Sequence, residues 1–420
     1  MRRFAGMLYV LLVAALPLRA ADPSPTVTAP PARAIGYTQH ATDLPGGRRA
    51  NVATGRAMLL VPGNHPVAVA VDLADEPGSW TQFVGWFTDG KTAIVGRAWE
   101  SEPNGHYEEE HKTFRFRAGD WLYDTYLVDL ATGRTDNVTA VERVSFYNTG
   151  VFPWPGDPNR LGFTALIDGV SKPFAMDRDG RHKTDLARDS TGFSYGFSSS
   201  PDGKRIAYHE NYQVWLADAD GAGRQMIDTG HPFNFAPAWS PDGRWLLFVS
   251  GEHDDCHPHV VRADGKALRK IGDRNGYRGV MEFLDVPDFH GGSSDVPVWA
   301  HDGRKVFFTA RVAGVAGAAD TVELFEVGIG ERETPARLTT SSPGSLHYHP
   351  RPSPDGAWLL YGSHRDLPGG GRARNLFVRH LADGVEVQLT HLSPGEAAMH
   401  GHWQPVDLLP GPAVLTPSEP

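Results

Sequence analysis

Trp239-Ser240-Pro241-Asp242-Gly243-Arg244-Trp245-Leu246-Leu247-Phe248 is the stretch that decides the fold. Proline presets φ, aspartate caps the turn and glycine accepts positive φ, so the first half reads as a tight turn. The apolar run behind it reads as a strand. The same pattern stands at Ser200-Pro201-Asp202-Gly203 and Ser353-Pro354-Asp355-Gly356. Weaker copies are Trp299-Ala300-His301-Asp302-Gly303 and Trp86-Phe87-Thr88-Asp89-Gly90, and Trp154-Pro155-Gly156-Asp157 is a degenerate one. Each copy has a second turn nearby, as in Asp177-Arg178-Asp179-Gly180, Asp218-Ala219-Asp220-Gly221, Arg262-Ala263-Asp264-Gly265 and Leu381-Ala382-Asp383-Gly384. Two turns per repeat give a four-stranded antiparallel unit of about 40 residues, the period of a propeller blade.

Blades are predicted to start near Thr81, Tyr147, Gly196, Asn234, Val296 and Tyr348. Residues Ala34 to Leu73 form strands with no turn signal in front of them. His400-Gly401-His402-Trp403-Gln404-Pro405 looks like a first strand with nothing after it. Joined, the two ends make one further blade. The expectation is an all-β, seven-bladed β-propeller closed by N- and C-terminal strands in one blade, which removes exposed sheet edges. Six or eight blades stay open, because 84–150 is irregular.

Composition agrees with an all-β chain. The 420 residues include 47 Gly, 33 Pro and 11 Trp, with 40% hydrophobic residues. A basic start, Met1-Arg2-Arg3, precedes the apolar run Phe4 to Leu18 and the small pair Ala20-Ala21. That layout reads as a secretory signal over 1–21, with a retained anchor as the alternative. A Pro-rich linker over 22–33, the propeller over 34–406 and a flexible tail over 407–420 complete the expected organisation. A periplasmic or secreted monomer follows, with no membrane span once the signal is removed. Cys256 is the single cysteine, so an intramolecular disulfide and a cysteine zinc cage are both excluded. A net charge of −10 argues against nucleic acid as a partner.

The 19 histidines are the compositional oddity. His400 lies three residues before Trp403, and His349 three before Pro352, its counterpart in the preceding blade. His347 lies two residues further upstream. Side chains two apart on a strand share a face, about 6.6 Å apart. First strands line a propeller channel, so His347, His349 and His400 are predicted to converge at one mouth. Imidazole suits Mn, Fe, Zn, Ni or Cu. A channel histidine also serves as a hydrogen-bonding filler. His402 is expected to point off the channel.

The Ser-Pro-Asp-Gly repeats with Ala-Asp-Gly turns resemble those of TolB-like propeller proteins over about 80–405. The stretch His347-Tyr348-His349-Pro350 before Ser353-Pro354 also resembles the metal-binding segment of oligogalacturonate lyases. That resemblance implies a propeller enzyme that cleaves pectic oligomers by β-elimination with a divalent metal, Mn foremost. His347 and His349 match two of the family's ligands. The family's third histidine falls on Val296 here, and its glutamine on Gly344. His400 would replace the missing histidine.

Asp285-Val286-Pro287-Asp288-Phe289-His290-Gly291-Gly292-Ser293-Ser294-Asp295 should reach the same mouth, as should Glu252-His253-Asp254-Asp255-Cys256-His257-Pro258-His259. His290 and His253 are therefore candidate bases, and Arg351, Arg278 and Arg365 candidate holders of a carboxylate. The expected partner is an acidic oligosaccharide. The alternative is a non-catalytic periplasmic propeller that binds a protein or a glycan. A paired-carboxylate glycosidase stays open. Glu108-Glu109-Glu110-His111 reads as a solvated insert. A prolyl-oligopeptidase reading is set aside, because no helical hydrolase segment follows the repeats.

Overall fold

The computed structural model describes residues 30–71, 77–113, 115, 117, 119–140, 143–144, 150–167, 170–188, 190–277, 279, 295–367 and 369–406. The expected signal, most of the linker and the tail lie outside these residues. No helix among the described residues is long and apolar enough to cross a membrane.

The fold is a β-propeller, built from antiparallel four-stranded units. One unit runs Trp80–Trp86, Thr92–Glu100, Trp121–Asp129 and Thr135–Asn137. Another runs Ser194–Ser199, Arg205–Glu210, Gln213–Asp218 and Gln225–Ile227, and a third Asn234–Trp239, Trp245–Ser250, His257–Arg262 and Arg269–Lys270. Between the first two sits Arg160–Ile167, Val170–Asp177 and Thr184–Asp185, with Arg143–Val144 and Phe152–Pro153 both pairing to Arg160–Ile167. The last stretch of chain repeats the pattern from Val298–Trp299 and again from Leu346–Pro352.

The chain ends share a sheet, as the sequence predicts. Glu396–Trp403 pairs antiparallel with Ile35–Ala41, with Ile35 opposite Trp403, and Arg56–Leu60 follows on the far side.

The quoted turn works as its composition dictates. Asp242 Oδ1 accepts from the Ser240 hydroxyl at 2.6 Å and from the Arg244 N–H at 3.0 Å. Ser240 Oγ in turn accepts the Trp245 N–H at 2.9 Å. Gly243 has φ 69°, which a side chain would strain. Ser200 with Asp202 repeats the arrangement.

At three turns the preceding tryptophan reaches across to the neighbouring unit. Trp299 Nε1 donates to the Ala238 carbonyl at 3.1 Å, Trp403 Nε1 to that of Arg351 at 3.1 Å and Trp86 Nε1 to that of His402 at 3.1 Å. In all three the acceptor is the residue immediately before the Trp position of the preceding unit. The indole buries apolar area between two sheets and its N–H fixes their relative height. The apolar clusters are likewise shared between neighbours: Leu247 and Val260 pack with Trp299, Val306 and Phe308.

One expectation is corrected. The acidic insert is a helix, Glu102–His111, and Glu108 is fully buried rather than solvated. Arg48 Nη2 bonds Glu100 at 2.6 Å and Glu108 at 2.8 Å, and Asn104 Nδ2 bridges the same two carboxylates. A charge run read one residue at a time hides a partner that lies 60 residues upstream.

Replacing Trp403 by Phe should cost about 1–2 kcal/mol, because the Arg351 carbonyl is left without its donor. Replacing it by Ala should cost about 3–5 kcal/mol. Chemical denaturation measures both; a loss below about 1 kcal/mol for Ala would contradict the stapling role.

Candidate functional site

The site begins with a break in strand geometry. In four inner strands the register slips at a matching place: between Tyr195 and Ser198, Phe235 and Ala238, Tyr348 and Arg351, and opposite Gly36 to Thr38 in the terminal strand. The residue three before the Trp position sits in the bulge. It is Gly196 (φ 63°), Ala236 (φ 49°), His349 (φ 51°) and His400 (φ 51°). Left-handed backbone suits glycine and costs a non-glycine residue about 1–2 kcal/mol. Two neighbouring units carry histidine there nonetheless.

The bulge aims these rings together. His349 and His400 stack with ring centroids 4.1 Å apart. His349 Nδ1 is buried and has no hydrogen-bond partner among the described residues. Two residues on, Arg351 and His402 line a cavity of about 380 Å³, with Trp86, Pro153, His301, Trp403 and Pro405 around them. Trp86, Pro153, Arg351, His402 and Trp403 come from inner strands of several units, and His301 and Pro405 from the turns that follow such strands, which places the cavity at one end of the axis. His402 is therefore in the lining, not off it. Residues two apart share a face, and His402 follows His400 as Arg351 follows His349.

The bulge also separates His347 from the pair. Its ring meets Tyr361 edge-on at 5.2 Å, and its Nε2 lies 2.7 Å from Ser341 Oγ and 3.5 Å from Glu323 Oε2. His347 is fully buried, whereas His400 and Arg351 are exposed and His349 and His402 partly so. Plain alternation predicted three convergent imidazoles; the structure joins two.

Protein crowds the axis on every side, and water still reaches it. Crowding lowers the pKa of His349, His400 and His402, and the Arg351 guanidinium lowers all three further. The neutral imidazole is the favoured form, available as a hydrogen-bond acceptor, a base or a ligand. Crowding also lowers the pKa of Arg351 itself, against the pull of Asp295.

The remaining candidates fall elsewhere. His290 and Arg278 lie outside the described residues. His253 sits on the exposed turn between Trp245–Ser250 and His257–Arg262, and is not among the residues lining the axial cavity. Arg365 is engaged by Glu386 at 2.7 Å. Asp295, the last residue of the Asp285–Asp295 stretch, is buried against the His349 backbone. Gly192-Phe193-Ser194-Tyr195-Gly196 has the spacing of a hydrolase nucleophile elbow. It lies at the start of an inner strand, with the buried Ser194 hydroxyl donating to Glu210 at 3.3 Å, and lacks the strand-turn-helix context.

A divalent metal is what the lyase resemblance implies, and the donor set tests it. His349 and His400 supply two imidazoles, and His347 is occupied elsewhere. Among the described residues no three His, Cys, Asp or Glu side chains form a group that could hold a metal ion. Structural and catalytic zinc sites take three or four protein ligands. The described residues do not make that set.

No family model matches the chain. An uncharacterised peptidase of Bacillus subtilis is 25% identical over 200 residues, covering 39% of this chain and 28% of that protein. The chain spans less than a third of the length of the curated relatives it matches. The oligogalacturonate lyase of Vibrio parahaemolyticus superposes with a TM-score of 0.50 at 14% identity, covering 75% of this chain and 82% of that one. TolB of Acinetobacter baumannii gives a TM-score of 0.45 at 16% identity, covering 73% and 63%. The likeness to the Vibrio lyase shows the propeller fold and nothing finer.

Two measurements check the site. His400→Gly should leave stability within about 1 kcal/mol of the parent, since relief of left-handed strain offsets the added chain entropy. A loss of about 3 kcal/mol would make the ring a packing element. Glu323 gives the second. Burial alone would raise its pKa, but hydrogen bonds from His347, Thr339 and the Ser341 N–H hold it well below its ordinary value of 4.5. Its contribution is therefore complete above pH 4.5 and is lost as pH falls below that. Glu323→Gln should flatten the fall of thermal midpoint in that acid range; an unchanged slope would contradict the assignment.

Proposed function

We propose that this protein is an exported, seven-bladed β-propeller that holds an acidic oligosaccharide at its axis. Seven blades are supported by the inner strands and by the pairing of Ile35–Ala41 with Glu396–Trp403. Export is supported by the basic-apolar-small layout of residues 1–21. The observation that carries the binding reading is Arg351 beside His402 in one axial cavity, with the stacked His349 and His400 two residues before them on the same strands. A guanidinium pairs with a carboxylate, and neutral imidazoles accept from and donate to hydroxyls. The chain's net charge of −10 makes this a local cationic site in an acidic protein. A periplasmic protein partner is the alternative occupant.

The catalytic form of the same reading is a lyase. Arg351 would neutralise the uronate carboxylate and so acidify the neighbouring C–H. A neutral imidazole, His400 being the one most open to the lumen, would take that proton. The C–H electron pair would form the ring double bond as the adjacent C–O bond breaks, and the leaving oxygen would gain a proton from water. A divalent cation, Mn foremost, would need a third ligand beyond His349 and His400.

Titration with trigalacturonate against neutral maltotriose, followed by tryptophan fluorescence, tests the binding reading. Binding of the acidic sugar alone, weakened at least tenfold by Arg351→Ala, is the expected result. Equal binding of both sugars, or of neither, would overturn it. Growth of ultraviolet absorbance from an unsaturated product separates lyase from binding protein.

A further inference from the structure

A set of main-chain bonds between units points to a residue that the proposed site depends on. The amide three before a Trp position donates to a polar side chain of the preceding unit. The Phe83 N–H donates to Thr38 Oγ1 at 3.0 Å, the Ala236 N–H to His209 Nδ1 at 3.3 Å and the His349 N–H to Asp295 Oδ1 at 3.1 Å. Of these three acceptors Asp295 alone is an acid, and it stands behind the bulge that carries a functional ring.

Asp295 has no freedom to serve as ligand or base. It is 2% exposed. Its Oδ2 accepts the Thr309 hydroxyl at 2.6 Å and the Tyr277 hydroxyl at 3.0 Å. Arg274, fully buried, braces this pair: its guanidinium donates to the Thr309 carbonyl at 3.0 Å and lies 4.4 Å from the Tyr277 ring centroid. Both carboxylate oxygens are thus engaged, one by the neighbouring unit and two hydroxyls on the other.

We propose that Asp295 is a positioning residue: it holds the left-handed His349 bulge in place and so sets the His349 and His400 rings against the axial cavity. A left-handed histidine is strained, and a buried carboxylate bonded to its amide stabilises that conformation over the ordinary extended one. Asp295 also places a negative charge behind Arg351, which opposes anion binding. The two effects have opposite signs and can be separated. The inference rests on the acidic-oligosaccharide reading for its functional arm only.

Asp295→Ala removes the acceptor and the charge; Asp295→Asn keeps an acceptor oxygen and removes the charge. Hydrogen exchange of the His349 amide in the full chain reads position. It should quicken at least tenfold in Asp295→Ala, recover in Asp295→Asn, and leave the Ala236 amide unchanged in both. Trigalacturonate binding reads function: at least tenfold weaker in Asp295→Ala, and equal to or tighter than the parent in Asp295→Asn. Unchanged exchange at His349 in Asp295→Ala overturns the positioning role. Faster exchange at Ala236 as well overturns it too, since the effect is then global loosening. If the parent binds no trigalacturonate while the exchange pattern holds, the glycan reading falls and the positioning role stands.

Discussion

Everything at the axis depends on how one unit is fixed in height against the next. The indole N–H of Trp86, Trp299 and Trp403 each finds the carbonyl just before the Trp position of the preceding unit. That bond is directional and made by a buried aromatic, so it leaves little freedom to slide. It also orders the functional residues. Arg351 and His402 are the acceptors for Trp403 and Trp86, so the residues that line the cavity are the residues the staples hold.

The fold was legible because its signals are local. Ser-Pro-Asp-Gly needs only four consecutive residues to make its turn, and the apolar run after it needs only its neighbours. The pairing of the two chain ends was legible as well, since His400 to Pro405 had a first strand's features and no strands behind it. The buried Arg48, Glu100 and Glu108 network was not. Its members are distant in sequence, and nothing in Glu108-Glu109-Glu110 distinguishes a buried acid from a solvated one.

The site was half legible for a related reason. His349 and His400 stood at equivalent repeat positions, and equivalence survives folding. The fate of His347 turned on a bulge, and a bulge at a histidine has no signal in one sequence. Gly196 and Ala236 at the same repeat position were a hint: small residues recur where left-handed backbone is needed. Aligning the inner strands on the Trp position would have exposed it. In sequence Asp295 reads as a carboxylate near the mouth, but its engagement by Thr309, Tyr277 and the His349 amide is purely tertiary.

The axis therefore combines neutral imidazoles, one guanidinium and a wetted lumen, held by strained backbone and capped from behind by a buried acid. A crystal structure with trigalacturonate bound tests this most directly. A uronate carboxylate within about 3 Å of the Arg351 guanidinium, with sugar hydroxyls against His349 or His400, is the result expected. Sugar density only on the outer surface, with the lumen unchanged, would contradict it.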